Sequence, residues 1–364
     1  MHRLLAVSLV FLLSCQNTQI DDAFLDEISN PAAATAIKIM SAPGGAGSEI
    51  NLATLNDAEP LNLFAISVTD AGDFIEDVSV TWSLTNSLGS LSNTVGTSTT
   101  FTPGYDLGAE VITANESDLG SDSTGNLAIT YSITSVGDVL GWYLADAVTG
   151  VANGANVLTW KDYSGSGYDA TGNGGVTFDS SVPAINFDGG ASYFEMNAMS
   201  ASLAGGDTIS YLVVMKTNYA AGSDFDNVIL ALNNAGANTL ISGTNSAGGI
   251  TLYNGATGQV RNAGLNDGNY HLLELIMPNG GIAASWANGV QSPVYTLAAT
   301  LANLAITDQV SIGQEFDGAG TSGHFTGDIA EIAIFKKEMS GVERTAVYNY
   351  FKAKYPTLIT ITVP

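Results

Sequence analysis

The sequence predicts an all-β protein of two successive sandwiches closed by one short helix, and three observations carry that prediction. Apolar residues alternate with polar ones in short runs from about Thr35 to Phe335, the period of a strand with one face buried. Glycine-rich turns punctuate the runs, and no long helical stripe interrupts them before Ser340, which favours a two-sheet jelly roll over an α/β layout. At Ser340 the period changes. Ser340 and Glu343 form a capping box, and Val342, Ala346, Val347, Tyr350 and Phe351 make one apolar stripe before Pro356 ends the helix.

A chain of 364 residues, 45% hydrophobic and 12% charged, can fill more than one core. Its 35 acidic and 10 basic residues give a formal charge of −25, and Lys38 is the only cation between Arg3 and Lys161. Nucleic acid is excluded as a partner, because phosphate binding needs a basic footprint. The acidity suits a solvated surface or cation binding in acidic loops.

Residues 1–15 read as an export signal. Arg3 supplies the positive start, and Leu4 to Leu13 form an apolar stretch too short to span a bilayer. The ending Leu12-Leu13-Ser14-Cys15 resembles the bacterial lipobox, which implies acylation of Cys15 and a lipid anchor in the membrane. Gln16, where an Asp would mark inner-membrane retention, points to the outer membrane or cell surface of a Gram-negative bacterium. Cys15 is the sole cysteine, so an intrachain disulfide is excluded. Residues 16–34 are polar and aperiodic, a flexible tether.

Residues 35–134 read as short strands. Val78, Val80, Trp82 and Leu84 share one face, and Thr99 to Pro103, Glu110 to Ala114 and Asn126 to Tyr131 continue the series between turns at Gly104, Gly108, Gly120 and Gly125. The runs around Trp82, Phe101 and Ile129 resemble bacterial Ig-like domains, with Trp82 as the buried strand tryptophan.

Residues 135–358 form the second unit, and 359–364 a tail. Strands are expected at Leu140 to Leu144, Ala184 to Gly189, Ser210 to Thr217, Asn227 to Leu232, Gly249 to Tyr253 and Tyr270 to Met277. Asn288-Gly289 suits a type I′ turn between Ile282 to Trp286 and Val290. Thr357 to Val363 reads as one more short strand. Two motifs bracket the unit. Trp160, Asp162, Ser164, Gly165, Gly167, Asp169 and Ala170 form the first. Gly327, Ile329, Glu331, Ile332, Ile334, Phe335, Ser340, Glu343, Arg344, Lys354 and Tyr355 form the second. Both resemble bacterial laminin G-like, concanavalin A-like sandwich domains of the lectin-glucanase superfamily; Met339 stands where the family has Leu, and Ala330 where some members carry Asp.

Little here points to catalysis. The mature chain keeps His271 and His324, far apart and outside any H-E-x-x-H spacing, and there is no nucleophile elbow or phosphate-binding glycine loop. Glucanases of the resembled superfamily place an E-x-D-x-E run on one strand; the nearest pair here, Asp224 and Asp226, sits in a loop setting. The chain is therefore read as a non-enzyme. Domains of the resembled family bind glycans or proteins and often hold calcium. That implies Ca²⁺ on loop carboxylates drawn from Asp162, Asp169, Asp188, Asp224, Asp226, Asp317 and Asp328, each of which also fits a solvated or turn-forming role. Trp142 and Trp160 fall at apolar strand positions and are assigned to core, whereas Tyr163, Tyr168, Tyr253 and Phe316 adjoin turns and are the ligand-binding candidates. The resulting expectation is a surface lipoprotein whose distal domain binds glycan or extracellular protein in adhesion or recognition, with the Ig-like domain as spacer. The alternatives are a structural envelope or fibre component and, on the same fold, a glycan hydrolase or lyase.

Overall fold

The computed structural model describes residues 33–51, 53–56, 60–103, 108–130, 132–204, 208–220, 226–234, 237–293, 295–297, 309–317 and 320–364. The export signal, Cys15, nearly all of the tether, Gly104, Tyr131 and Asp224 lie outside them. The chain divides into two compact units, one built from segments up to Leu127 and the other chiefly Ala128–Pro364.

The smaller unit is built on antiparallel pairs such as Ala36–Met40 with Leu61–Val68 and Val80–Leu84 with Ile112–Glu116. One sheet runs in the order Ala36–Met40, Leu61–Val68, Ser98–Pro103, Gly89–Leu91, with Phe74–Asp77 also on Leu61–Val68; the other runs Gly120–Ser123, Ile112–Glu116, Val80–Leu84, Val95–Gly96. The expected face is real: Val80 and Trp82 are buried, Thr81 and Ser83 exposed. Trp82 is 1% exposed, and its indole N–H donates to the Gly96 carbonyl at 3.1 Å, so the ring is both packed and satisfied. The run expected from Glu110 to Ala114 breaks at Val111 into Gly108–Glu110 and Ile112–Glu116. The cause is the Glu110 side chain. It is fully buried and accepts backbone N–H bonds from Thr85, Asn86, Leu88 and Val111, clamping the turn after the tryptophan strand.

The larger unit is a β-sandwich of two eight-stranded antiparallel sheets with a short C-terminal helix. The first sheet has the order Thr177–Asp179, Ala184–Asp188, Thr326–Phe335, Thr208–Thr217, Tyr270–Pro278, Ala284–Ala287, Val290–Gln291, and Val139–Leu144 also pairs with Thr326–Phe335. The second has Thr159–Trp160, Ala170–Asn173, Tyr193–Glu195, Gln309–Ile312, Asn227–Asn234, Ala237–Thr244, Gly249–Tyr253 and Gly258–Asn262. Its strands at Gln309–Ile312 and Gly258–Asn262 are short: the first alternates Val310 and Ile312 with polar residues, and the second carries Val260 as its one apolar residue.

Alternation along Thr208–Thr217 shows how the first sheet is used. Tyr211, Val213 and Met215 point into the core between the sheets with Trp160, Phe187 and Phe194. Leu212 and Val214 point the other way, to a second apolar layer with Val347, Tyr348 and Phe351 of the Gly341–Lys354 helix. That helix starts at the expected capping box, with both reciprocal bonds present. Its stripe is rotated from the one read in the sequence: Tyr348 is fully buried, while Val342 is 49% exposed. Trp160 is core as expected; Trp142 is half-buried and donates its indole N–H to Glu331.

The expected hairpin turns at Asn288 (φ 52°) and Gly289 (φ 84°), both in the left-handed region. Gly289 is also a packing requirement, since a Cβ there would lie 1.6 Å from the Thr362 carbonyl oxygen. The tail is not the strand the alternation suggested. Ile359 and Ile361 do bury against the helix layer, but the Thr362 N–H bonds only the Asn288 carbonyl at a turn, where no ladder can grow.

Candidate functional site

The strand Thr326–Phe335 positions two groups of polar residues on the outer face of the first sheet. Gly327 (φ 145°) opens it because a Cβ there would meet the Lys216 carbonyl oxygen at 2.1 Å, so only glycine lets the neighbouring strand close. Further along, the register slips between Val214 and Met215, which face Glu331 and Ile329 and leave Ala330 bulged. Ala330 packs in the outer layer, as Glu331 does, while Ile329 and Ile332 point inward. The bulge therefore lets Asp328 and Glu331, an odd number of residues apart, share one face.

At the Glu331 end the helix covers the face. Glu331 is fully buried and accepts from Trp142 Nε1 (2.7 Å), Tyr350 OH (2.9 Å) and Tyr355 OH (2.8 Å), with Lys354 Nζ at 2.9 Å. Burial pushes its carboxyl above the usual range, opposed by the Lys354 ammonium. Glu274, on Tyr270–Pro278, is equally buried; it takes two bonds from Arg344 (2.9 and 2.6 Å) and one from Tyr348 OH (2.8 Å). The Arg344 guanidinium also lies over the Trp286 ring at 3.8 Å. The motif residues Glu331, Arg344, Lys354 and Tyr355 are thus the bolts that hold the helix to the sheet. Each of these donors is paired, and Lys354 and Tyr355 also border a separate cavity of about 310 Å³ with Asp146, Val182 and Leu358.

At the other end the face is open. Asn186, Asp328, Lys216 and Tyr270 stand side by side on four adjacent strands. Asp328, 4% exposed, is the hub: it accepts from Asn186 Nδ2 at 2.6 Å and Tyr270 OH at 3.3 Å, and Lys216 Nζ sits at 2.5 Å. Thr217 Oγ1 donates to the Thr326 carbonyl at 2.6 Å and receives Asn227 Nδ2 at 3.2 Å, tying the two strand ends together. Above this floor lies a cleft of about 440 Å³ lined also by Asp188, Asn218, Gly268 and Thr326. Asn218 is exposed at its rim. Asp188 is held below the usual carboxylate range by Ser192 Oγ and the Gly190 N–H, so it is ionised at neutral pH. Chemically the described residues of this surface offer amide, ammonium, hydroxyl and carboxylate groups.

Of the residues singled out in the sequence, the cleft collects Asp188 and Asp328. Asp162 lies elsewhere and is a turn former: Oδ1 accepts the Trp142 and Ser164 N–H groups and Oδ2 the Tyr168 N–H and the Ser164 hydroxyl. Asp169 pairs with Lys161 at 2.6 Å and accepts the Asp162 N–H. Among the described residues no three His, Cys, Asp or Glu side chains gather as a metal-holding group. Asp162 and Asp169 are committed to donors of the protein, and Asp328 is in its ion pair with Lys216. Asp224 falls outside the described residues, and Phe316 and Asp317 lie in the Glu315–Asp317 strand. Tyr163 is 41% exposed beside Ala147, Tyr168 bonds Ser202 at 2.5 Å against the core, and Tyr253 packs on Val228, Ala231 and Ile241. None of these three lines the cleft. Asn186, Lys216 and Asn218 went unnoticed in the sequence, for each is an ordinary polar residue at or beside a strand, and only the pairing of strands brings them together.

The larger unit is thus an all-β sandwich with a polar cleft on one sheet face. No family model and no curated protein matches the sequence. Among solved structures, it is similar to the CBM40 of Ruminococcus gnavus IT-sialidase bound to α2,3 sialyllactose, at 14% identity and a TM-score of 0.36, covering 43% of this chain and 91% of that one. A mutant NanB sialidase from Streptococcus pneumoniae matches at 14% and 0.35, over 43% of this chain and 26% of that chain. The binding domain of botulinum neurotoxin DC in complex with rat synaptotagmin II matches at 13% and 0.40, over 57% and 50% respectively. At these identities the likeness concerns the fold alone.

Proposed function

We propose that this chain is an exported, lipid-anchored binding protein whose larger unit holds glycan in the Asn186–Lys216–Asp328 cleft, with the smaller unit as spacer and no catalysis of its own. The observation that supports it is the cleft itself: a floor fixed by bonds between strands, with donors and acceptors presented together on a solvated rim. Vicinal hydroxyls of a sugar need such paired donors and acceptors, and a shallow wet site binds them through direct and water-mediated bonds. The overlap with known structures is too slight to support the reading, which stands on the cleft. The test is a glycan panel probed with the chain and with Asn218→Trp, which fills the rim from an exposed position. Hits lost in the variant at an unchanged melting temperature support the reading; hits that survive place the site elsewhere. Acylation is checked separately by the mass of the mature N-terminal peptide, and an unmodified Cys15 overturns the anchor.

A further inference from the structure

We propose that the cleft selects uncharged glycans and disfavours those carrying carboxylate or sulfate groups. This rests on the glycan reading above and adds the class of ligand. Among the described residues lining the cleft Lys216 is the only cation, and its ammonium is already claimed by Asp328 at 2.5 Å with the Tyr270 ring 5.0 Å from it. Asp188 lines the same cleft, and Asp179, at the end of the neighbouring edge strand, also exerts its field on Lys216. Both carboxyls are held below the usual range by hydroxyl and backbone donors, so both are charged at neutral pH. His324, whose charge would help offset them, is pushed toward its neutral form by burial, with Asp188 only partly opposing. With Lys216 paired to Asp328, Asp188 in the cleft and Asp179 beside it leave the local charge negative, within a chain of net charge −25. A ligand anion entering there meets repulsion at close range that salt weakens, whereas a neutral hydroxyl can donate to the same carboxylates.

The experiment uses the full chain in detergent and matched oligosaccharide pairs that differ only in one terminal acidic sugar. The neutral member is expected to bind at least about tenfold tighter, a difference of about 1.4 kcal/mol. In Asp188→Asn, which keeps the oxygen that receives Gly190 and Ser192, the gap should narrow several-fold, and so should raising the salt from 0.05 to about 0.5 M. Asp179→Asn provides a second, independent charge removal. Equal or tighter binding of the acidic member overturns the selectivity while leaving the glycan site standing. Failure of both members across the panel overturns the glycan reading and the selectivity with it.

Discussion

Asp328 and Glu331 sit on one strand and one face, yet they have opposite fates. Glu331 lies under a helix, with three hydroxyl or indole donors and an ammonium around it; Asp328 lies under solvent, with an asparagine and a lysine that also reach the rim. The contrast teaches that a buried carboxylate is a structural bolt or the hub of a site according to what covers its partners. Breaking a covered group should cost stability, and changing the uncovered end should cost binding.

The largest expected effect is Glu331→Leu, which leaves the Trp142, Tyr350 and Tyr355 donors without their acceptor and Lys354 with Asp146 alone, and should lower stability by about 3 to 5 kcal/mol, read by denaturant melts. A variant that melts like the wild type would show that the helix is held by apolar packing alone. Arg344→Lys is next. It keeps the charge but loses the two-pronged bond to Glu274 and the flat contact with Trp286, and should cost about 1 to 3 kcal/mol. At the open end Asn218→Ala should leave melting unchanged and weaken glycan binding by about 0.5 to 1.5 kcal/mol, the worth of one hydrogen bond. The smallest effect concerns acid. Asp267 is held at about 2 by Asn269 and then His271, so its folded-state value lies below the unfolded one. The stability it lends is present above the unfolded carboxylate range and is lost as pH falls toward about 2. Asp267→Asn should therefore lower stability at pH 7 by less than about 1 kcal/mol, given its exposure, leave it unchanged near pH 2, and so flatten the acid limb of the profile below about pH 4.

Much of this architecture was legible because its causes are local. Two-residue alternation marks Val80 and Trp82, and the reach of Ser340 to Glu343 marks the helix start. Asn-Gly marks the hairpin at 288–289 for the same reason. Each signal spans a few residues. The family-like motif was equally visible, although its meaning was not: it reads as a strand and a helix, and its Glu331, Lys354 and Tyr355 fasten one to the other while Arg344 ties the helix to Glu274 on the Tyr270–Pro278 strand. Tyr348 was missed because nothing within one turn of it reveals a carboxylate on another strand.

By itself the sequence determined the all-β class, the strand faces, the cap and the turns, since steric and hydrogen-bonding preferences act along the chain over four residues or fewer. Which carboxylates would be covered and which left open was decided by tertiary structure. The Trp142–Glu331 bond joins residues 189 apart, Asn186–Asp328 142 apart and Arg344–Glu274 70 apart, and the bulge at Ala330 sets the face on which Glu331 meets its partners. Such contacts depend on strand order and register, which no local pattern encodes.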